Sequence, residues 1–540
     1  MNKLISTILL IVISLQVTRA QVNYTVDYSK TIGKNTGFWK ACGYDFLFKI
    51  VNEPEGLTFL DRAQKYNTVK YFRTHNTFSN RSVGDKKAKG SICGKVLTVD
   101  EKGKYHYDFS IVNKTFREYV KRGMKPIVEF DFYPDGFNAK SSKSNDESFE
   151  SKEGPPVSWE KWQELLDKFM QNLIKEFGVD EMKTWYFEVW NEPDGWDREL
   201  LPDFFKLYDV FSHTVKSYNT DFKVGGPGCF NISFLKDFLN HVALDTNYVT
   251  KRIGAPIDFI SYHIYGMSGS WLEKAPELTP MVQKFTNDML LVERLVSKYP
   301  SLKNTEFHIN EWGLCSHGDS KFVTEFPQLE FRNSEVSALF LAKLVDCLYA
   351  IDDNYKFKTS LLLYWGAWFN AATGPIFWGS RDLMTSGCVP KPILTSYEML
   401  ALLGNDRLKI TGPKTGGTIG LLATKGKNEC QLLIYNFNEY ENNFNQSTKA
   451  QISVDNLDFT GKQVNITEYW LSKTQHNTYR EWEQMGKPQA SANVIEKLKK
   501  TAELNPDKQF TQPLSNNKIN IDIDIMPHSM CLITIVTTKN

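Results

Sequence analysis

Short apolar, β-prone runs alternate with stretches of helical period from about residue 38 to residue 404. The runs are Phe38 to Gly43, Tyr71 to His75, Lys125 to Phe130, Trp185 to Trp190, Phe222 to Gly226, Ile257 to Tyr265, Glu306 to Trp312 and Leu361 to Trp368. Between them lie amphipathic segments such as Trp159 to Phe177, where Trp162, Leu165, Leu166, Phe169, Leu173 and Ile174 recur near the 3.6-residue period and mark one buried helical face. This alternation signals βα units around a parallel sheet, and eight such units predict an α/β fold, a (β/α)8 TIM barrel over residues 38–404 with long loops. After Leu403-Gly404 the period drops to two, in Gln431 to Phe437, Gln463 to Leu471 and Ile519 to Ile525. The tail, 405–540, therefore reads as an antiparallel β-sandwich broken by one short helix, Asn493 to Leu504, with residues 21–37 as an N-terminal segment joining it. Residues 138–156, rich in Ser, Lys, Asp, Glu and Gly, read as a long solvated loop.

The first residues follow a different logic. Lys3 precedes an apolar run from Leu4 to Leu15, and Thr18-Arg19-Ala20 puts small residues three and one positions before Gln21. That is the pattern of a cleaved secretory signal over residues 1–20, so the protein is expected to be exported, secreted or periplasmic. The run is too short to span a bilayer, which takes about 20 residues, and no later stretch qualifies. Eight cysteines are scattered without a C-x-x-C pair, which fits isolated buried thiols or one or two incidental disulfides.

Composition removes several function classes. With 64 Lys plus Arg against 63 Asp plus Glu, the net charge of +1 offers no field to recruit nucleic acid or an anionic membrane. Nine histidines contain no H-E-x-x-H and no compact cluster, and neither Gly225-Gly226-Pro227-Gly228 nor Gly416-Gly417 has phosphate-loop spacing; the expectation is no metal and no cofactor. Nothing in the chain specifies an oligomer.

In such a barrel, catalytic groups lie where strands end and loops begin. Two runs end in a carboxylate preceded by Asn: Trp185-Tyr186-Phe187-Glu188-Val189-Trp190-Asn191-Glu192-Pro193 on the fourth predicted strand and Glu306-Phe307-His308-Ile309-Asn310-Glu311-Trp312-Gly313 on the seventh. Two facing carboxylates are what glycosidic cleavage demands: one protonates the leaving oxygen while the other attacks the anomeric carbon or activates water. Glu192, flanked by Trp190 and Trp196, is expected to be partly desolvated, with the raised pKa that suits a general acid. Glu311 has to stay ionised, and Arg73 at the end of the second strand is the cation expected to hold it so. Asn191 can bond the sugar hydroxyl next to the anomeric carbon. Glu129, Asp131 and Glu188 are rivals, because they too sit on strands; alternation sets Glu188, Trp190 and Glu192 on one face, with Glu188 deeper and paired with a cation. Trp185, Trp190, Trp196, Trp312, Trp365, Trp368 and Trp378 crowd the strand exits, about half of them as core and the rest as candidates for stacking on sugars.

The segment Trp185 to Pro193 resembles the W-x-F-E-[VI]-W-N-E-P signature of glycoside hydrolase family 39, which holds β-xylosidases and α-L-iduronidases. The likeness extends along nearly the whole mature chain. Phe38-Trp39 with Gly43, Arg73-Thr74-His75, Gly123-Met124-Lys125-Pro126, Val224-Gly225-Gly226-Pro227, Asp258-Phe259-Ile260-Ser261 with His263 and Tyr265, Tyr364-Trp365 and Pro390-Lys391-Pro392 fall in family order. The tail segment Tyr479 to Pro488 is similar to the C-terminal sandwich of the bacterial β-xylosidase branch. The resemblance implies a retaining exo-glycosidase with Glu192 as acid/base and Glu311 as nucleophile. It also implies that His75, Asn191, His263, Tyr265 and Trp365 line the terminal-sugar pocket, with Trp365 as its platform. Two departures bear on the sugar. The family's Ser-Asp-x-Phe-Glu-Glu run after the eighth-strand Tyr-Trp is replaced by Gly366-Ala367-Trp368-Phe369-Asn370-Ala371, and its His-Asp-Thr after the nucleophile by Asn333-Ser334-Glu335. Asn370 or Asp382 is the candidate substitute for the lost acid.

The leading expectation is an exo-glycosidase releasing terminal β-D-xylosyl residues from small oligosaccharides or glycosides. The same chemistry with α-L-arabinosyl, β-glucosyl, β-galactosyl or α-L-iduronyl specificity is the first alternative. A non-catalytic carbohydrate-binding protein is the second, and an adhesive role for the tail the third.

Overall fold

The computed structural model describes residues 20–79, 93–134, 137, 154–268, 279–316, 327–355, 357–368, 374–440 and 445–538. The expected export signal up to residue 19, most of the loop 138–156, and Asn370 lie outside the described residues. No helix among the described residues is long and apolar enough to cross a membrane.

Eight parallel strands close into a barrel: β1 (Ala41–Tyr44), β2 (Tyr71–Thr74), β3 (Lys125–Phe130), β4 (Tyr186–Val189), β5 (Lys223–Cys229), β6 (Phe259–Tyr265), β7 (Glu306–Gly313) and β8 (Thr359–Trp365). Each expected run supplies one strand. β8 returns to β1 with Leu363 opposite Ala41 and Trp365 opposite Gly43. Only glycine fits there, since a Cβ on Gly43 would stand 2.1 Å from the Trp365 ring. Beneath the mouth the lumen is filled by Ala41, Ile127, Tyr186, Phe259, Leu361 and Leu363, so this is a packed core and not a pore. Outside, the predicted amphipathic helix runs over Trp159–Phe177, starts on a Ser158 side chain that accepts the Lys161 N–H, and buries Trp162, Leu165, Leu166, Phe169 and Leu173 against the barrel.

The tail is one curled nine-stranded sheet whose inward positions share a single core. Its strands include Glu429–Asn436, Gln463–Leu471 and Ile519–Ile525, and the last of these alternates buried and exposed residues throughout. The sheet is not wholly antiparallel. The N-terminal strand Ala20–Lys34 pairs antiparallel with Asp406–Thr411 on one side and parallel with Thr448–Asp455 on the other. The expected short helix spans Ala492–Thr501.

Sheet and barrel are tied together by residues that the sequence singled out for other reasons. Glu335, in the segment replacing the family's His-Asp-Thr, accepts a bidentate pair from Arg480, Nε at 3.0 Å and Nη2 at 3.0 Å, and the Asn477 amide at 2.9 Å. Tyr479 and Trp482 of the tail motif pack with Ile376, Phe377 and Val389 of the barrel. Cys42, Cys229, Cys315, Cys347, Cys388, Cys430 and Cys531 are free thiols, all but Cys347 buried, so no two of these seven form a disulfide.

Candidate active site

At the C-terminal mouth of the barrel opens a cleft of about 820 Å³. His75, Asn191, Glu192, His263, Tyr265, Glu311 and Trp365 all line it, together with Asp45, Phe230, Lys284 and Arg381. Glu311, on β7, is 4% exposed and is enclosed by donors. Tyr265 donates its hydroxyl to Oε2 at 2.9 Å, Arg73 donates Nη1 to Oε1 at 3.0 Å, and His75 Nε2 and His263 Nδ1 stand 3.4 and 3.5 Å away. Burial alone raises a carboxyl's pKa, but here the charges of His263, Arg73 and His75 and the His75 hydrogen bond outweigh it. Glu311 is held well below the usual carboxylate range, and the ionised form is the one this pocket stabilises.

Glu192 is built differently. The extended chain of β4 stops at Val189, and Trp190 (φ 60°) and Glu192 (φ 47°) both adopt left-handed backbone. That conformation is disfavoured for bulky residues and persists only where surroundings impose it. Here the Glu192 N–H donates to the Gly228 carbonyl of β5 at 2.9 Å, and its Oε1 meets His263 Nδ1 at 2.8 Å. The two turns break the alternation expected of Glu188, Trp190 and Glu192. Trp190 packs edge-on against Phe132 and Trp196, away from the cleft, and Glu192 reaches the cleft with a side chain 40% exposed. The expectation that Trp190 stands beside Glu192 at the cleft is therefore corrected: Trp190 packs into the core, and the polar contact of Glu192 is His263. One carboxylate oxygen of Glu192 and one of Glu311 lie within 4.8 Å of each other, with His263 between them.

Below this pair lies a buried ionic network centred on Arg73. Its guanidinium donates to Glu188 Oε2 at 2.7 Å, to Glu311, to Asn191 Oδ1 at 3.0 Å and to Glu129. The Asn191 carbonyl is thus engaged, and the residue lines the cleft. Glu188 also accepts from Ser261 at 2.5 Å and Asn310 at 2.7 Å. Glu129 accepts His75 Nδ1 at 2.7 Å, and Asp131 accepts the backbone N–H groups of Asn76 and Thr77 at 2.9 and 3.0 Å. All three rivals are fully buried and hold the frame, not the cleft. Two groups, His75–Glu129–Asp131 and Glu192–His263–Glu311, have ligand-type atoms close enough for a metal ion, but in the first these oxygens are already engaged by Arg73, His75 and backbone N–H groups.

The network carries a pH signature. Burial lowers the pKa of His75, but the Glu129 charge and the hydrogen bonds to Glu129 and Glu311 push it up to about 10. Glu129 is pushed up to about 8, by burial first, against the pull of Arg73 and His75. Both shifts are upward, so their contribution to stability is complete below the unfolded-state values and is lost as pH climbs through the folded ones. For His75 that window runs from about 6.5 to about 10. Melting temperature should fall across it, and less steeply in His75→Gln, as a calorimetric pH series would show.

Several sequence candidates fall outside the cleft. Of the seven tryptophans only Trp365 lines it, with its indole N–H donating to Asp45 at 3.0 Å; Trp185, Trp190, Trp312 and Trp368 are buried in the core. Asp382 does not line the cleft either. It is buried near Lys391 and Ser380, and its neighbour Arg381 is the residue that reaches the cleft, with Nη2 3.3 Å from Asp45. Asp45, Arg381 and Phe230 were not singled out by the sequence. Asp45 stands one residue beyond β1, where the strand-exit rule would have found it; Arg381 lies sixteen residues past β8 and gives no such signal.

The geometry can be set beside known proteins. The sequence model of glycosyl hydrolases family 39 matches residues 22–519. The chain is 23% identical over 526 residues to a β-xylosidase of Caldicellulosiruptor saccharolyticus, covering 96% of this chain and 99% of that protein. It is 22% identical over 370 residues to the α-L-iduronidase of Mus musculus, covering 61% of this chain and 54% of that protein. In three dimensions it resembles a monomeric β-xylosidase from Caulobacter crescentus CB15, with a TM-score of 0.76 and 19% identity over 96% of this chain and 100% of that one, which establishes the shared fold. With the family's sequence pattern running through barrel and tail alike, and two carboxylates meeting at the barrel mouth, the chain belongs to glycosyl hydrolases family 39, the enzymes that hydrolyse O-glycosyl bonds.

Proposed function

We propose that this protein is an exported, retaining exo-glycosidase that removes terminal β-D-xylosyl residues from oligosaccharides, with Glu311 as nucleophile and Glu192 as acid/base. The observation that carries the mechanism is the approach of the two carboxylates to within 4.8 Å. Retaining enzymes hold the pair about 5–5.5 Å apart, whereas inverting ones leave roughly 6.5–9.5 Å for a water. The environments divide the labour. Glu311, ionised among Arg73, His75, His263 and Tyr265, attacks the anomeric carbon. Glu192, more open and bonded to His263, protonates the departing oxygen and then takes a proton from the water that releases the sugar. Trp365 offers the terminal sugar an apolar face, and the Asn191 amide donates to the hydroxyl beside the reacting carbon. The signal pattern of residues 1–20 supports export.

Xylose is favoured by the relatives named β-xylosidase. A second reading, uronosyl specificity of the α-L-iduronidase kind, is favoured by Arg381, a cation lining the cleft of a chain that lacks the acid-bearing run that follows the eighth strand in the family's xylosidases. A panel of aryl glycosides, including α-L-arabinosides, β-glucosides and β-galactosides, decides between them. The first reading expects the xyloside to be fastest. Negligible xyloside turnover beside a fast uronide establishes the second.

Glu192→Ala should lose at least roughly 10²-fold in kcat/KM on glycosides with poor leaving groups, and far less on activated aryl glycosides, which need no proton. Equal losses on both would remove the acid assignment.

A further inference from the structure

Phe230 directly follows β5, lines the cleft, and is 53% exposed, although its neighbours along β5 are buried. A large apolar ring in water is not informative by itself, but the main chain that carries this one is held by buried side chains on both sides. Its N–H and that of Asn231 donate to the same oxygen of Asp194, Oδ2, at 2.9 and 2.7 Å, and its carbonyl accepts the Tyr262 hydroxyl at 2.6 Å. Asp194 stands two residues past Glu192, and Gly228, two residues before Phe230, anchors the Glu192 N–H. The Phe230 ring and the Glu192 carboxyl therefore ride on one cross-braced unit joining the exits of β4 and β5. Trp365, His75 and Arg73 lie deeper, around Glu311, where the terminal sugar must sit. The bond to be cleaved points from that sugar toward Glu192, so whatever is attached to the departing oxygen leaves the pocket along the wall that carries Phe230.

We infer that Phe230 is the stacking platform for the leaving-group sugar, a second sugar-binding position on the acid's side of the cleft. This rests on the assignment of Glu192 as the acid. A flat aromatic face presented to the C–H groups of a pyranose recognises a sugar of any charge, and Asp194 and Tyr262 serve as positioning residues that fix the main chain bearing the ring at the edge of the cleft. The natural substrate is then an oligosaccharide whose second residue is bound, not a glycoside of a small alcohol.

The test compares wild type, Phe230→Ala and Phe230→Tyr on a disaccharide and on the glycosyl fluoride of the sugar that the aryl-glycoside panel selects. The fluoride carries nothing to stack on Phe230, so it reports the integrity of the terminal-sugar pocket and the nucleophile. In Phe230→Ala the ratio of kcat/KM on disaccharide to that on fluoride should fall about 10-fold, and Phe230→Tyr should restore it. The fraction of glycosyl-enzyme transferred to an added sugar acceptor instead of water should fall in the same variant. A ratio unchanged in Phe230→Ala, whether both substrates lose equally or neither does, overturns the inference. Failure of the underlying assignment looks different: Glu192→Ala would then lose as much on the fluoride as on the disaccharide, whatever Phe230→Ala does.

Discussion

Glu311→Gln should lower kcat by roughly 10⁴-fold or more, with leaving groups good and bad alike, and should leave no covalent sugar on the protein. The substitution keeps the shape of the side chain and removes the charge on which Arg73, His75, His263 and a tyrosine hydroxyl converge. An amide cannot form the ester, so the loss falls on a step every substrate shares. This separates it from Glu192→Ala, whose loss depends on the leaving group. Steady-state kinetics with aryl glycosides and intact-protein mass spectrometry on a slowly turned-over 2-fluoro glycoside would measure both halves of the expectation. A residual activity within about 100-fold of wild type would mean that another group attacks.

The largest effect on stability is expected at Arg73. It is fully buried and touches Glu129, Glu188, Glu311 and Asn191. Removing one partner of a buried ionic set leaves the others uncompensated, a loss of about 3–5 kcal/mol for a single pair. Arg73→Leu should lose at least that much by denaturant titration. Arg73→Lys should fold better, but one ammonium cannot reach four partners, so part of the loss remains. The same variant has a kinetic signature. Because Arg73 helps to hold Glu311 below its usual range, weakening it lets the Glu311 pKa rise, and the acid limb of the kcat/KM profile should move to higher pH. An Arg73→Lys enzyme with wild-type stability and an unshifted limb would show that the network does not act on Glu311.

Much of this arrangement is legible in the sequence because a TIM barrel converts strand exits into a site. Glu192 and Glu311 are found by locating the ends of apolar runs, His75, His263 and Tyr265 are implied by the family resemblance, and the structure brings all five to one cleft. What the pattern missed follows from local backbone and from distance along the chain. Period-two reasoning carried past Val189 fails because Trp190 and Glu192 turn left-handed, which moves Trp190 into the core and leaves Glu192 half open. Arg381 enters the cleft from a segment with no strand to announce it. The parallel pairing of Val22 with Ala450 in the tail sheet joins residues more than 400 positions apart, and alternation within each strand contains no information about which neighbour it will meet or in which direction. Phe230 reads as an ordinary loop residue until Asp194 and Tyr262 are seen to hold it.

The claim on which the rest depends is that Glu311 and Glu192 carry out two successive displacements at one carbon. It is tested most directly by recording proton NMR spectra of the anomeric region during the first minutes of hydrolysis of a β-xyloside, before the free sugar equilibrates. The account predicts that the β-anomer of the released sugar appears first and the α-anomer only later, by mutarotation. An α-anomer appearing first would mean a single displacement by water, and would contradict it.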